Sequence, residues 1–171
     1  MPRETELPYL FLMRVWTLCL SVLAVLGCAP VADPQLPPGG IPVDNTEQLL
    51  RSQYTGFVQR SRLVIRDADA WSQFWNQAHR NVMPIPPVPS IDFTDNIVVA
   101  ATMGWRSNGG HTIQFDSVYA ADDDLYVVVE ERSPGAGCVT TAAITTPAAA
   151  IRIPRPGASV SFVEQSETFT C

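Results

Sequence analysis

The apolar positions of the chain repeat with two periods. From Tyr54 to Arg66 (YTGFVQRSRLVIR), Leu63 and Ile65 share one parity and Arg60, Arg62 and Arg66 the other. That alternation predicts a strand with one basic face. No acid lies between Gln48 and Arg66. The basic face is therefore expected to be an ordinary solvated one, with anionic headgroups or an acidic partner as the alternative neighbour. The period then changes. In DADAWSQFWNQAHR, Trp71, Phe74, Trp75 and Ala78 fall at i, i+3, i+4 and i+7, which predicts an amphipathic helix. Asp67 or Asp69 supplies its N-cap, and it stops before a loop holding Pro84, Pro86, Pro87 and Pro89. Ile97–Thr102 (IVVAAT) is a continuous apolar run too short for a helix and reads as a central strand buried on both faces. Thr112–Tyr119 and Leu125–Arg132 flank Ala120–Asp124, a hairpin with an acidic tip. Ala148–Ile153 and Ser159–Phe169 are two further strands, separated by a Pro154–Gly157 turn. The expected fold class is α+β, a predominantly antiparallel sheet of about six strands with one amphipathic helix packed on it.

The N-terminal pattern is different. Val15–Gly27 (VWTLCLSVLAVLG) is nearly all apolar. Thirteen residues of helix reach roughly 20 Å, short of a ~30 Å hydrocarbon core, so the run reads as the core of a signal peptide. Arg3 and Arg14 ahead of it are balanced by Glu4 and Glu6, which makes Met13 an alternative start to Met1. Val25-Leu26-Gly27-Cys28 resembles a bacterial lipobox, with Cys28 as the lipidated first residue of the mature chain. The alternative is an ordinary signal peptide with an incidental cysteine. Beyond Cys28, Pro30, Pro34, Pro37, Pro38 and Pro42 with Gly39 and Gly40 make an extended tether. The expected organisation is a signal peptide over 1–27, a Pro/Gly-rich tether over 28–45 and a single domain over 46–171. Localisation follows as lipid-anchored and extracytoplasmic. It would be the outer membrane in a Gram-negative cell, since Ala29 rather than an acid follows Cys28.

Cysteine arithmetic fits that scheme. Of the four cysteines, Cys19 lies in the signal and Cys28 takes lipid. Cys138 and Cys171 remain in an oxidising compartment and are the expected disulfide, with two free thiols as the alternative.

Composition narrows the chemistry. The chain of 171 residues carries a formal net charge of −6, and all 11 of its Lys+Arg residues are arginines. Without lysine there is no Walker lysine, no Schiff base and no Ser–Lys dyad. The acidic balance argues against nucleic-acid binding. There is no H-E-x-x-H, C-x-x-C, G-x-S-x-G or G-x-G-x-x-G. The two histidines, His79 and His111, have no ligand spacing between them, and His79 suits a helix C-terminus. Asp122–Asp124 reads as a solvated turn rather than a calcium site. No metal, no cofactor and no catalytic residue is expected. Two loops hold the candidate partner-binding residues. In the first, Trp105 and Arg106, residue types enriched in interface hot spots, stand beside the Asn108-Gly109-Gly110 turn. The second is the flexible Ser133–Gly137 loop with Pro134 and Gly135, rooted at Cys138.

Several segments together resemble the PrcB C-terminal-domain family of bacterial lipoproteins. Trp71–His79 (WSQFWNQAH) is similar to its W-x-x-F/L-W-x-x-H element, and Ile91-Asp92-Phe93 to its strand lead-in. Gly104–Ile113 (GWRSNGGHTI) is similar to its G-x-R-x-x-G-G loop, with His111 where an aromatic is expected. Glu130–Thr140 (EERSPGAGCVT) and Thr146-Pro147 complete the resemblance, which spans roughly 60–165. The resemblance implies a surface lipoprotein that supports an exported subtilisin-like protease, with no catalytic centre of its own. The expected partners are thus a membrane, reached through the lipid, and an exported protease. The competing expectation is a direct protease inhibitor that presents the loop before Cys138.

Overall fold

Asp67 opens the single helix of the described residues. Its backbone is extended, and its side chain accepts from the Ala70 N–H at 2.8 Å, which satisfies one orphan donor of the first turn. The structure, a computed structural model, describes residues 36–37, 39–154 and 157–171. The expected signal peptide, Cys28 and most of the tether lie outside the described residues, as do Arg155 and Pro156 of the expected turn.

Helix α1 (Ala68–Ala78) buries Trp71, Phe74, Trp75 and Ala78, the four positions its period singles out. They share one cluster with Leu50, Ile65, Val98, Ala100, Ala148 and Ala150. Three alanines in the sheet beneath leave room for the indole rings. The proline-rich loop closes over the same helix: Trp71 Nε1 donates to the Pro89 carbonyl and Trp75 Nε1 to that of Pro86, both at 2.9 Å. A tryptophan pair is thereby buried with both of its donors satisfied.

Among the described residues, eight strands form two four-stranded sheets rather than one sheet of six. In chain order they are β1 (Ile41–Pro42), β2 (Glu47–Ser52), β3 (Arg60–Ile65), β4 (Ile97–Met103), β5 (Thr112–Ala121), β6 (Asp124–Pro134), β7 (Ala148–Ile153) and β8 (Ser159–Phe169). One sheet has the order β2-β7-β4-β3, all antiparallel; the other has the order β1-β5-β6-β8. The first sheet is covered by α1 on one face and by the second sheet on the other. Along β4, Val98 and Ala100 face the helix cluster, while Ile97 and Val99 pack between the sheets with Leu125, Val127, Ile151 and Ile153. This double burial is why IVVAAT shows no alternation.

Four differences from the expected architecture have physical causes. Gly56 breaks the Tyr54–Arg66 alternation, so residues 53–59 form a loop with a single bridge from Tyr54 to Thr146, and the strand is confined to Arg60–Ile65. Glu47–Ser52, not assigned to any element in the sequence, pairs antiparallel with β7. Ile41 and Pro42, placed in the tether, pair with Ala120 and Tyr119 at the sheet edge, the one place a proline is tolerated. Finally, β7 and β8 are not a hairpin: they lie in different sheets, and β8 runs parallel to β6 from Asp124↔Ser159 to Pro134↔Phe169. The hairpin of β5 and β6 is as expected, with its turn tightened to Asp122 and Asp123.

Candidate functional site

The basic face of β3 is only partly solvated: Arg60 and Arg66 are exposed, whereas Arg62 is largely buried. Arg60 and Arg62 point between the sheets to Glu131 of β6 and Glu164 of β8. Arg62 is the centre of this cluster. Its Nε and Nη2 grip Glu164 at 2.8 and 2.7 Å, Nη2 also reaches Glu131 at 2.5 Å, and Nη1 donates to the carbonyls of Ser61 and Thr102. Burial alone would lower the Arg62 pKa, yet hydrogen bonds and the charges of Glu164 and Glu131 raise it. Burial would likewise raise the Glu164 pKa, but the Arg62 and Arg60 contacts outweigh it and hold that carboxyl below its ordinary value. Arg66 donates to the Ala158 carbonyl at 2.5 Å. The stripe expected to be solvated is so at Arg60 and Arg66, but Arg62 and the inner edge of Arg60 also staple the sheets, because β3 is the edge strand that lies opposite two acidic strand positions.

The two loops singled out in the sequence meet at one end of the sheets. Gly104 turns the chain out of β4 at φ +72°, and the Trp105 N–H donates to the Val58 carbonyl at 3.2 Å. Arg106 and Thr145 exchange backbone hydrogen bonds at 2.8 and 3.1 Å. The Gly109 N–H donates to the Thr141 carbonyl at 3.0 Å, and the Thr145 hydroxyl to the Asn108 carbonyl at 3.0 Å. Gly110, at φ +88°, lies against Pro134: a Cβ there would stand 3.3 Å from the proline ring. His111 ties the group together. Its Nε2–H donates to Asn108 Oδ1 at 2.8 Å and its Nδ1 accepts from the Ser133 hydroxyl at 3.0 Å. Burial and the nearby Arg106 cation lower its pKa, which favours the neutral ring this pattern needs.

Parallel pairing explains the disulfide. Both β6 and β8 end at this same edge, so Cys138, four residues past Pro134, and Cys171, two past Phe169, come within 5.2 Å Cα to Cα and are bonded. Gly135 N–H continues the ladder to the Phe169 carbonyl at 2.9 Å, and Cys138 N–H closes a turn on Gly135. The segment before Cys138 is therefore a short pinned turn rather than a flexible loop.

Around these loops the surface is apolar. Trp105 is 52% exposed, Tyr54 58%, Val58 67%, Ile144 61%, and Val139 fully so. Tyr54, Val58, Trp105 and Ile144 line a groove of about 410 Å³ with Arg80. A second groove, about 420 Å³, lies on the other side of Tyr54, between Pro134, Val139 and Phe169. Of the predicted residues, Trp105 lines the first groove, and Gly110, Pro134, Cys138 and Cys171 line the second; Arg106, Asn108, Gly109 and Gly135 hold the loops in place. Tyr54, Val58, Arg80, Val139 and Ile144 were not among the predicted residues. Gly56 was the available signal for the first two, since a Cβ there would overlap the Arg80 side chain and the Gln77 carbonyl at the end of α1.

The family likeness takes in this end of the molecule. Residues 97–154 match the family model described as PrcB C-terminal. This segment is similar to the PrcB C-terminal family. It runs from β4 through β7 and includes both loops of the site. The similar helix motif and the Ile91-Asp92-Phe93 lead-in lie ahead of the matched residues. No curated protein and no solved structure matches the chain.

Proposed function

We propose that the chain is a lipid-anchored, extracytoplasmic accessory domain without catalysis of its own, and that it presents the loop-clustered end to an exported protein, a subtilisin-like protease being the expected class. The observation that carries this reading is the convergence of both PrcB-like loops on one apolar, disulfide-bound end. Large exposed aromatic and aliphatic side chains on a rigid frame are what an interface uses. The lipobox-like Val25–Cys28 supports the anchor.

Crosslinking of intact membranes followed by capture of the chain tests the reading. Recovery of an exported protease is the expected result, and mass spectrometry of the mature chain should find a lipid on Cys28. A chain that emerges from crosslinking alone, or one that retains residues 1–27 unprocessed, overturns it.

One observation favours a second reading, a direct inhibitor. The fully exposed Val139 follows a disulfide-rooted turn, and rooting of that kind pre-organises an inhibitory segment. Titration against subtilisin-like proteases separates the two readings. An inhibitor abolishes turnover stoichiometrically, whereas an accessory domain leaves it intact.

A further inference from the structure

The Trp105 loop, the segment before β7, the end of α1 and the loop that joins β2 to β3 meet at the groove walled by Tyr54, Val58, Trp105 and Ile144. Its volume, about 410 Å³, lies in the ~300–1,000 Å³ range of clefts that take a small ligand or a few side chains. It is too small to be the whole of a domain–domain interface. Its walls are fixed from behind. Thr55 and Thr146 exchange hydrogen bonds at 2.6–2.9 Å and are buried, Trp105 is tied to Val58, and Gln77 Nε2 donates to the Gly56 carbonyl at 2.6 Å. A groove built this way loses little freedom when it is filled.

Its charge is equally specific. Arg60, Arg62, Arg132 and Arg152 are paired with carboxylates, and Arg66 donates to a backbone carbonyl. Among the described residues Arg51 on β2, Arg80 on the groove wall and Arg106, next in chain to Trp105, have no carboxylate within ion-pair distance. Among the described residues, no Asp or Glu lines the groove. A net-acidic chain thus holds a cation without a carboxylate partner, Arg80, on the groove that its exposed tryptophan lines. We propose that this groove docks a short acidic segment of a protein partner, with an aliphatic or aromatic side chain seated between Tyr54, Trp105 and Ile144 and a neighbouring carboxylate on Arg80. The proposal rests on the reading of the chain as an interaction domain and names the chemistry of what it binds.

The test is selection of random 12-residue peptides on the immobilised full chain, with the best peptide then titrated by fluorescence anisotropy. Enriched peptides should combine net negative charge with at least one aliphatic or aromatic residue. Trp105→Ala should weaken the best of them by at least about tenfold, as for an interface hot spot. Arg80→Glu, a change at an exposed position with no carboxylate partner, should weaken it several-fold and reduce its dependence on salt. Enrichment of neutral or basic peptides, no enrichment, or an affinity indifferent to both substitutions overturns the proposal. The outcome is separable from the accessory reading. A crosslinked partner whose capture ignores both substitutions leaves that reading intact and removes this groove from it. Acidic peptides selected by a chain that has no crosslinked partner leave the groove assigned and remove the protease role.

Discussion

Arg62 grips Glu164 with two parallel hydrogen bonds, Nε to Oε1 at 2.8 Å and Nη2 to Oε2 at 2.7 Å, across the gap between the two sheets. Planar guanidinium and carboxylate match in this geometry, and a lysine would not. Arg60 and Glu131 complete a cluster of two cations and two anions whose two inner members, Arg62 and Glu131, are about nine-tenths buried. Removal of one member leaves a buried charge unpaired. Arg62→Ala should therefore lower the unfolding free energy by about 3–5 kcal/mol in urea denaturation. The double variant Arg62→Met/Glu131→Met, which removes both inner charges, should recover part of that loss. A loss under about 1 kcal/mol for Arg62→Ala would mean that the cluster is solvated like a surface pair.

The same cluster sets an acid limit. The folded Glu164 carboxyl titrates below its ordinary value because Arg62 and Arg60 favour the anion. A carboxyl with a depressed folded pKa contributes stability that is fully present above its unfolded pKa and is lost as pH falls through the folded one. Stability should thus decline as pH drops below about 4.5, and Glu164→Gln should flatten that limb of the curve. Urea midpoints measured from pH 7 down to pH 3 on both proteins check this. Parallel curves for the two would show that Glu164 is not the group responsible.

The helix and the hairpin were legible in the sequence because each is a local pattern. Trp71, Phe74, Trp75 and Ala78 lie on one face wherever the helix packs, and Ala121↔Asp124 closes a turn between adjacent strands. What was not legible depends on partners distant in sequence. Arg60 and Arg62 look unpaired until β8, about a hundred residues away, is known to run parallel to β6 and bring Glu164 opposite them. The same crossover separates β7 from β8, although the Pro-rich turn between them reads as a hairpin. At the site, the loops were visible from their Trp, Arg, Asn-Gly and Pro-Gly content. The far wall of the groove was not, because the exposure of Tyr54, Val58 and Ile144 follows from packing that no local pattern encodes.

Reduction of Cys138–Cys171 tests how the parallel pair is held. The 33-residue separation gives a loop-closure contribution of about 3.8 kcal/mol in the chain-entropy description, an upper figure where the reduced state keeps structure. Cys138→Ser with Cys171→Ser should lower stability by about 2–4 kcal/mol. The effect should also be local. Amide exchange should quicken most over residues 135–141 and the end of β8, while the α1 amides, held by the tryptophan cluster, change only with global stability. Uniform acceleration across both regions would show that the bond acts on the unfolded chain alone.

Gly104 and Gly137 make a matched pair for the geometry of the tryptophan loop. Gly104 sits at φ +72°, and a Cβ there would stand 2.8 Å from the Arg60 nitrogen and 3.0 Å from the Val58 carbonyl oxygen, backbone atoms that cannot rotate away. Gly104→Ala therefore incurs a left-handed backbone cost of about 1–2 kcal/mol and a displacement of the 58–60 segment as well. Because the Trp105 N–H bonds to that same Val58 carbonyl, the displacement shifts Trp105 in the groove. At Gly137 an added Cβ meets nothing within 4 Å and φ is not positive. Gly137→Ala is expected to be neutral or to stabilise by up to about 1 kcal/mol by narrowing the unfolded ensemble. Thermal denaturation of the two variants should separate them clearly, with peptide binding lost in the first and kept in the second. Equal melting temperatures would show that the turn at Gly104 accommodates a side chain and does not fix where Trp105 points.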